Sequence, residues 1–262
     1  MKVRNVCYSK GTIPLMPFSV WKAQKGKAPD GQAKTRMAAL GCVFTQHGLD
    51  KQGRPQRDHQ STTYLAGFES PSDFGIGLRR EALRRGMGGA DKVVILVDDA
   101  LSLEKMGKDY FPQAIQIVDA FHAMEHLEAL IDALLTKSNT RRFARRRHHW
   151  RKLLLADGVG RIIERARKES VGTPRAEAVE AQLGYFVNNA GRMRYGTFKK
   201  QGLFIGSGVI EAGCRSVIGS RCKQSGMFWT EKGANAVMGL RCLNAGGRLN
   251  TIWQARHAAR AA

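Results

Sequence analysis

Lys92-Val93-Val94-Ile95-Leu96-Val97-Asp98 is an unbroken apolar run that ends in an acid, and Ala114-Ile115-Gln116-Ile117-Val118-Asp119 repeats the pattern further along the chain. A strand with one wet face alternates apolar and polar residues. A run without alternation belongs in a sheet covered on both sides. Helical periodicity follows the second run, through Phe121, Met124, Leu127, Leu130 and Leu134. Strand, helix, strand, helix order predicts an α/β fold, a mixed sheet flanked by helices.

Outward from that centre, residues 1–68 read as strands and turns. Leu40-Gly41-Cys42-Val43-Phe44-Thr45 and Ser61-Thr62-Thr63-Tyr64-Leu65-Ala66-Gly67-Phe68 are β-prone, and the polar segment His47 to Gln60, with Gly48, Gly53 and Pro55, reads as a hairpin-type loop. Asp73 to Arg85 reads as a helix with Phe74, Leu78, Ala82 and Leu83 on one face. Toward the C-terminus, Gly206-Ser207-Gly208-Val209-Ile210-Glu211-Ala212-Gly213-Cys214 opens a helix that runs to about Arg221. Ser207 is its N-cap, with a side chain able to accept amide protons of the first turn. A second helix, Thr230 to Leu243, starts on a Thr cap and stops at Gly246-Gly247.

Charge identifies the class of partner. The 262 residues hold 43 Lys and Arg against 22 Asp and Glu, a net charge of +21. Such an excess suits a polyanion, because each phosphate neutralised releases counterions. Nucleic acid is the first candidate and an anionic membrane surface the second. The imbalance is also local. Residues 136–200 read as helical and basic, and within Arg141 to Lys168 the residues Arg141, Arg142, Arg145, Arg146, Arg147, Arg151, Lys152, Arg161, Arg165, Arg167 and Lys168 are opposed only by Asp157 and Glu164. A solvated helix face would show the same run. Taken with the net charge, the stretch reads as a phosphate-contacting surface centred on Arg141, Arg142, Arg145, Arg146, Arg147, Arg151 and Lys152. No apolar run reaches the roughly 18 residues of a membrane span, and Met1 to Lys10 has no signal-peptide core. A cytoplasmic, nucleoid-associated location is expected. The five cysteines include no CxxC pair, which disfavours a disulfide framework or zinc ribbon.

Two familiar motifs fail on spacing. Gly206-x-Gly208 with Gly213 lacks the spacing and the downstream acid of a dinucleotide loop. His122 and His126 stand at i and i+4, as zinc ligands can, but with no third ligand evident; a satisfied pair on a helix face is the simpler reading. What remains is a set of acids at element ends: Asp98 with Asp99 beside it, and Glu211 just inside a helix. Carboxylates converging from separate elements can hold two Mg²⁺ ions for phosphodiester chemistry. The same acids also suit turns and caps.

Residues 200–248, from Lys200-Gln201-Gly202-Leu203-Phe204-Ile205-Gly206-Ser207-Gly208-Val209-Ile210-Glu211 through Lys223-Gln224-Ser225-Gly226-Met227-Phe228-Trp229 and Gly233-Ala234-Asn235-Ala236, closely resemble the C-terminal signature of the Kra-type insertion-sequence transposases. The resemblance extends over most of the chain in the expected order. It includes Gly26 to Gly31, Leu40 to Gln46, Ser61 to Tyr64, Phe111 to Asp119, Phe121-His122-Ala123, Glu125-His126-Leu127 and Arg192 to Tyr195. It implies a ribonuclease-H-like mixed sheet with a basic helical insertion. Residues 1–135 would form the first part of the catalytic domain, 136–200 the insertion, and 201–262 the helices that complete the domain. It further implies a triad of two Asp and one Glu that cuts and joins double-stranded DNA, at element ends and target, with Mg²⁺ or Mn²⁺. Asp98 matches the second Asp and Glu211 the Glu, and these two would be the metal ligands. Asp119 and His122 match a D-x-x-H motif whose role is structural or DNA-positioning. Such enzymes commonly act as homo-oligomers.

The chain departs from the family pattern at two places. Ser9-Lys10-Gly11-Thr12 precedes Ile13-Pro14 where relatives have Asp-Gly-Thr-Gly, so Ser9 stands in the place of the first Asp. Where relatives have Asp-Gly-Ala, this chain has Asp98-Asp99-Ala100, and Asp99 is a candidate substitute ligand. Full-length relatives also carry a long N-terminal region ahead of this point. The expectation is a truncated copy with impaired cleavage and strand transfer; the alternative is a catalytically inactive, DNA-binding remnant.

Overall fold

The computed structural model describes residues 3–14, 35–97, 101–135, 140–224, 227 and 229–261; 3–14, 35–36, 101–103, 140 and 261 are described by their backbone alone. The fold is mixed α/β, with one small sheet and many helices. Strand β1 (Val3–Pro14) lies at the middle of the sheet. It runs antiparallel to β2 (Thr35–Leu49), with Cys7 opposite Cys42 and Ser9 opposite Leu40. On its other side it runs parallel to β5 (Lys92–Val97), with Cys7 opposite Leu96. Strand β6 (Ile115–Val118) extends the parallel half, Val97 opposite Val118. Strands β3 (Pro55–Arg57) and β4 (Thr63–Gly67) both pair antiparallel with β2, giving the order β3-β2-β1-β5-β6 with β4 on β2.

The expectation of a sheet covered on both faces holds. Along β5, Val94 and Leu96 belong to one apolar cluster while Ile95 and Val97 belong to a second. Strand β2 divides in the same way, with Leu40, Cys42 and Phe44 on one side and Ala39 and Val43 on the other. The period of two is the reason: successive side chains point to opposite faces. Helix α1 (Pro71–Arg84), with Phe74, Leu78 and Ala82, and α2 (Leu101–Tyr110), with Met106, cover the second face. Burying Leu78 there contributes about 1.5–3 kcal/mol. Leu83 is not on that face; it is 48 % exposed. At about 100° per residue it lies roughly opposite Phe74 on the helix.

Helix α3 (Ala120–Leu134) packs on the first face through Met124, Leu127, Leu130 and Leu134. Phe121 belongs to the same period but is 57 % exposed, because it sits in the first turn, beyond the end of β6. The basic stretch is helical as expected: α4 (Thr140–Leu154), α5 (Val159–Ser170), α6 (Ala176–Asn189) and α7 (Tyr195–Lys200). Trp150, Ile162, Leu183 and Phe186 from these helices join the same apolar cluster as α3. Asp157 does more than balance charge: it takes a positive φ of 62° and accepts from the amides of Gly196 and Thr197 at 2.7 and 2.9 Å, capping α7.

Helix α8 (Gly208–Gly213) continues through a π turn at Cys214–Gly219 into α9 (Ser220–Cys222). The extent matches the sequence reading; the π turn does not show in local periodicity. Helix α10 (Glu231–Ala245) has Thr230 as its cap, accepting from the Gly233 amide at 3.0 Å, and ends at Gly246 with Gly247 at φ 66°. A final helix, α11 (Leu249–Ala261), follows. Among the described residues no helix is long and apolar enough to cross a membrane, and Cys42, Cys222 and Cys242 are buried thiols outside any disulfide.

Candidate active site

Asp119 follows β6 directly, is only 4 % exposed, and caps α3. Its Oδ1 accepts from the Phe121 amide at 2.6 Å and, more weakly, from the His122 amide at 3.4 Å. Its Oδ2 accepts from the Ser207 amide at 2.8 Å and from the Ser207 hydroxyl. The backbone tightens the same junction: Asp119 N–H donates to the Val97 carbonyl and Ala120 N–H to the Ile205 carbonyl, both at 2.9 Å. A carboxylate at a helix N-terminus is favoured by the helix dipole, and its bonds to amides are charge-assisted. Asp119 therefore joins the end of β5, the end of β6, α3 and the segment leading into α8. Both of its oxygens are used within the protein.

This corrects the reading of Ser207. It stands at the N-cap position of α8, but its hydroxyl makes no capping bond to the first turn. It donates instead to Asp119. The Ser207 carbonyl accepts the Glu211 amide at 3.1 Å, so Glu211 is one residue contact removed from Asp119.

Glu211 is exposed, while Ile210 and Gly213 on the other side of α8 are buried. Gly213 lies close on the sheet: a Cβ there would come within 2.5 Å of Tyr64 Cε1 and 3.3 Å of Leu40 Cδ2. Leu40 is the register partner of Ser9. The helix bearing Glu211 thus crosses the sheet at the level of Ser9, two positions beyond the Cys7–Leu96 pair. Asp98 and Asp99 lie outside the described residues; the carbonyl of Val97, which precedes Asp98, accepts the Asp119 amide at the junction. Among the described residues, no group of three or more His, Cys, Asp and Glu could hold a metal ion.

His122 and His126 are engaged in ring packing. His126 stacks on Tyr185 with centroids 3.7 Å apart, and His122 meets His126 edge-on at 4.8 Å. His122 Nδ1 lies 3.3 Å from Glu125 Oε2. Tyr195 is buried nearby; burial first, then the charges of Tyr185 and Asp119, push its phenol far above the ordinary range, so it stays neutral.

The seven basic residues of α4 separate into two groups. Arg141, Arg142, Arg145 and Lys152 are exposed. Arg141, Arg145 and Lys152 fall within about 40° of one another around the helix. Arg142 and Arg145, with Arg146 and His149, line a cleft of about 430 Å³. Arg146 also pairs with Glu169 at 2.8 Å and lies over the Trp150 ring, Arg147 reaches Glu128 at 3.4 Å, and Arg151 Nε lies 3.0 Å from the Met124 sulfur. Helical phase separates the groups: one side of α4 packs toward α3 and α5.

Three features escaped the sequence reading: the Asp119–Ser207 contact, the engagement of Arg146, Arg147 and Arg151, and an apolar groove beside α8. Of these, only the first carried a local signal, an Asp directly before a helix-forming run.

No family model matches the chain, and no curated protein matches it. A comparison with solved structures returns the Drosophila P element transposase strand transfer complex, at 9 % identity and a TM-score of 0.42, covering 92 % of this chain and 76 % of that one. So faint a likeness fixes neither the fold family nor the activity of this chain.

Proposed function

We propose that the chain is a DNA-cutting and strand-transferring protein of the Kra-type insertion-sequence transposase family, built on a ribonuclease-H-like sheet and impaired by Ser9. The observation that carries this reading is the Asp119–Ser207 contact, which ties the helix bearing Glu211 to the end of the sheet where β5 and β6 lead into acids. The sheet order adds support. Parallel β1, β5 and β6 on one side of an antiparallel β2 are what a ribonuclease-H-like fold requires.

In this reading Asp98 and Glu211 would hold Mg²⁺ or Mn²⁺, which activates a water or 3′-hydroxyl and stabilises the leaving oxygen of a phosphodiester. Exposed Glu211 suits a hard cation. Asp119 does not, since both its oxygens are engaged. With serine at position 9 the donor set is one carboxylate short, and Asp99 is the nearest substitute in sequence. Arg141, Arg142, Arg145 and Lys152 would contact the phosphates of double-stranded DNA. A homo-oligomer would bring two element ends together.

The test is incubation of the full chain with duplex DNA and Mg²⁺ or Mn²⁺. Salt-sensitive binding is expected, with slow nicking that disappears in Glu211→Gln and accelerates in Ser9→Asp. Binding without nicking, unchanged by Ser9→Asp, would leave the inactive DNA-binding remnant as the correct reading. Binding that ignores ionic strength would overturn both.

A further inference from the structure

A groove of about 780 Å³ runs between the β2–β3 turn, the start of α3 and the segment leading into α8. That size lies within the roughly 300–1,000 Å³ of clefts that take small organic groups. Phe204, Ile205 and Val209 contribute an apolar floor, and Phe121 stands in it half-exposed. Phe204 is held in place by an edge-on contact with Phe44, centroids 5.4 Å apart. Lys199 and Lys200, both exposed, stand at the rim with Arg54. Arg54 is partly neutralised by Asp50 at 2.7 Å, so the two lysines supply the rim's net charge. Among the described residues, none of those lining the groove is acidic.

An accessible aromatic face in an apolar cleft with cations at its edge is the pattern that binds unpaired nucleotides: the base stacks and the phosphate meets the cation. A duplex cannot use such a face, because its bases are already stacked on one another. We propose that this groove holds unpaired nucleotides of single-stranded DNA, with a base stacked on Phe121 and the backbone on Lys199 and Lys200. The inference rests on the proposed function for its choice of DNA and adds a second, strand-separated mode of contact beside the arginines of α4. The groove adjoins Asp119 through Phe121, whose amide that carboxylate receives, and adjoins Glu211 through Gly208 and Val209 of the same helix. A single strand lying there would enter at the site where the chemistry is proposed.

Gly206 is part of the arrangement. A Cβ at that position would come within 2.8 Å of Phe121 Cε2. Gly206→Ala would therefore turn the ring, and because Phe121 is exposed the turn costs the fold little.

The experiment measures binding of the full chain to an oligothymidylate with one internal 2-aminopurine, to the same sequence as duplex, and to the matching oligoribonucleotide. Quenching of the 2-aminopurine by stacking is expected in the single strand. Phe121→Ala should weaken single-strand binding about 5- to 150-fold, the effect of one lost base–aromatic stack, and leave duplex binding unchanged. Phe121→Trp should restore it, Gly206→Ala should weaken it, and Lys199→Glu with Lys200→Glu should flatten its salt dependence. Equal losses on duplex and single strand, absence of quenching, tighter binding of the oligoribonucleotide, or displacement by a polyglutamate peptide would each overturn the proposal. The two proposals fail separately. Phe121-dependent quenching without duplex nicking would uphold the groove and remove the nuclease, while nicking without quenching would do the reverse.

Discussion

Ser207 donates both its amide, at 2.8 Å, and its hydroxyl to Oδ2 of Asp119, a residue 88 positions earlier in the chain. A single buried carboxylate thereby caps α3 and positions the helix that carries Glu211. Removing it breaks two junctions at once.

Asp119→Ala is expected to cost about 3 kcal/mol, from a lost cap and lost bonds to a charged acceptor. Ser207→Ala should cost about 1 kcal/mol, because the amide bond to Asp119 remains. Urea unfolding of both variants and of the double variant measures the coupling. If Asp119→Ala unfolds at the same urea concentration as the parent chain, the junction has no energetic role.

Gly213→Ala should destabilise by about 1–3 kcal/mol, the usual cost of overfilling a packed contact, because the added Cβ meets Tyr64 at 2.5 Å. Lifting α8 also moves Glu211, so any nicking should fall further than DNA affinity does. An unchanged thermal midpoint would mean that α8 does not sit against Tyr64 and Leu40.

The α4 arginines should divide by function. Arg141→Glu with Arg145→Glu should lower the slope of log affinity against log salt by roughly two and leave stability alone. Arg146→Ala should instead cost about 0.5–1 kcal/mol, through its partly exposed pair with Glu169 and its place over Trp150. Titrations at several salt concentrations, paired with thermal melts, separate the two. Equal salt slopes for all three chains would dissolve the distinction.

Burial pushes the Cys242 thiol up to about 12. The folded state then keeps a proton that the unfolded chain gives up near the ordinary value of 9.0. Above that pH the unfolded state binds fewer protons, so stability falls as pH rises, by about 1.4 kcal/mol per unit for this one group until the folded value is reached. Cys242→Ala should flatten the alkaline limb of a stability–pH curve. Native Cys242 should also resist alkylation at pH 8, as peptide mapping would show; rapid native labelling would place it outside the core.

Much of the architecture was legible in local sequence. The double-faced burial of β5 followed from a run without alternation, and α10 could be bounded from Thr230 and Gly246-Gly247. The exposure of Phe121 and Leu83 was not legible, although both fit the apolar period. Period says which residues share a stripe; it does not say where the neighbouring layer ends. Phe121 overhangs the sheet and Leu83 sits at the back of α1.

The same division applies to the candidate site. The acids at strand and helix ends, the basic α4 and the serine at position 9 are properties of the linear chain, set by residue type and spacing over a few turns. That Asp119 is consumed as a latch, that Arg146, Arg147 and Arg151 are engaged inside the protein, and that Phe121 faces an open groove depended on tertiary contacts. Those contacts join residues tens of positions apart, and nothing in the near neighbourhood of either partner specifies the other. Propensity and period act locally, whereas the partner of a buried carboxylate is chosen only when sheet and helices close around it.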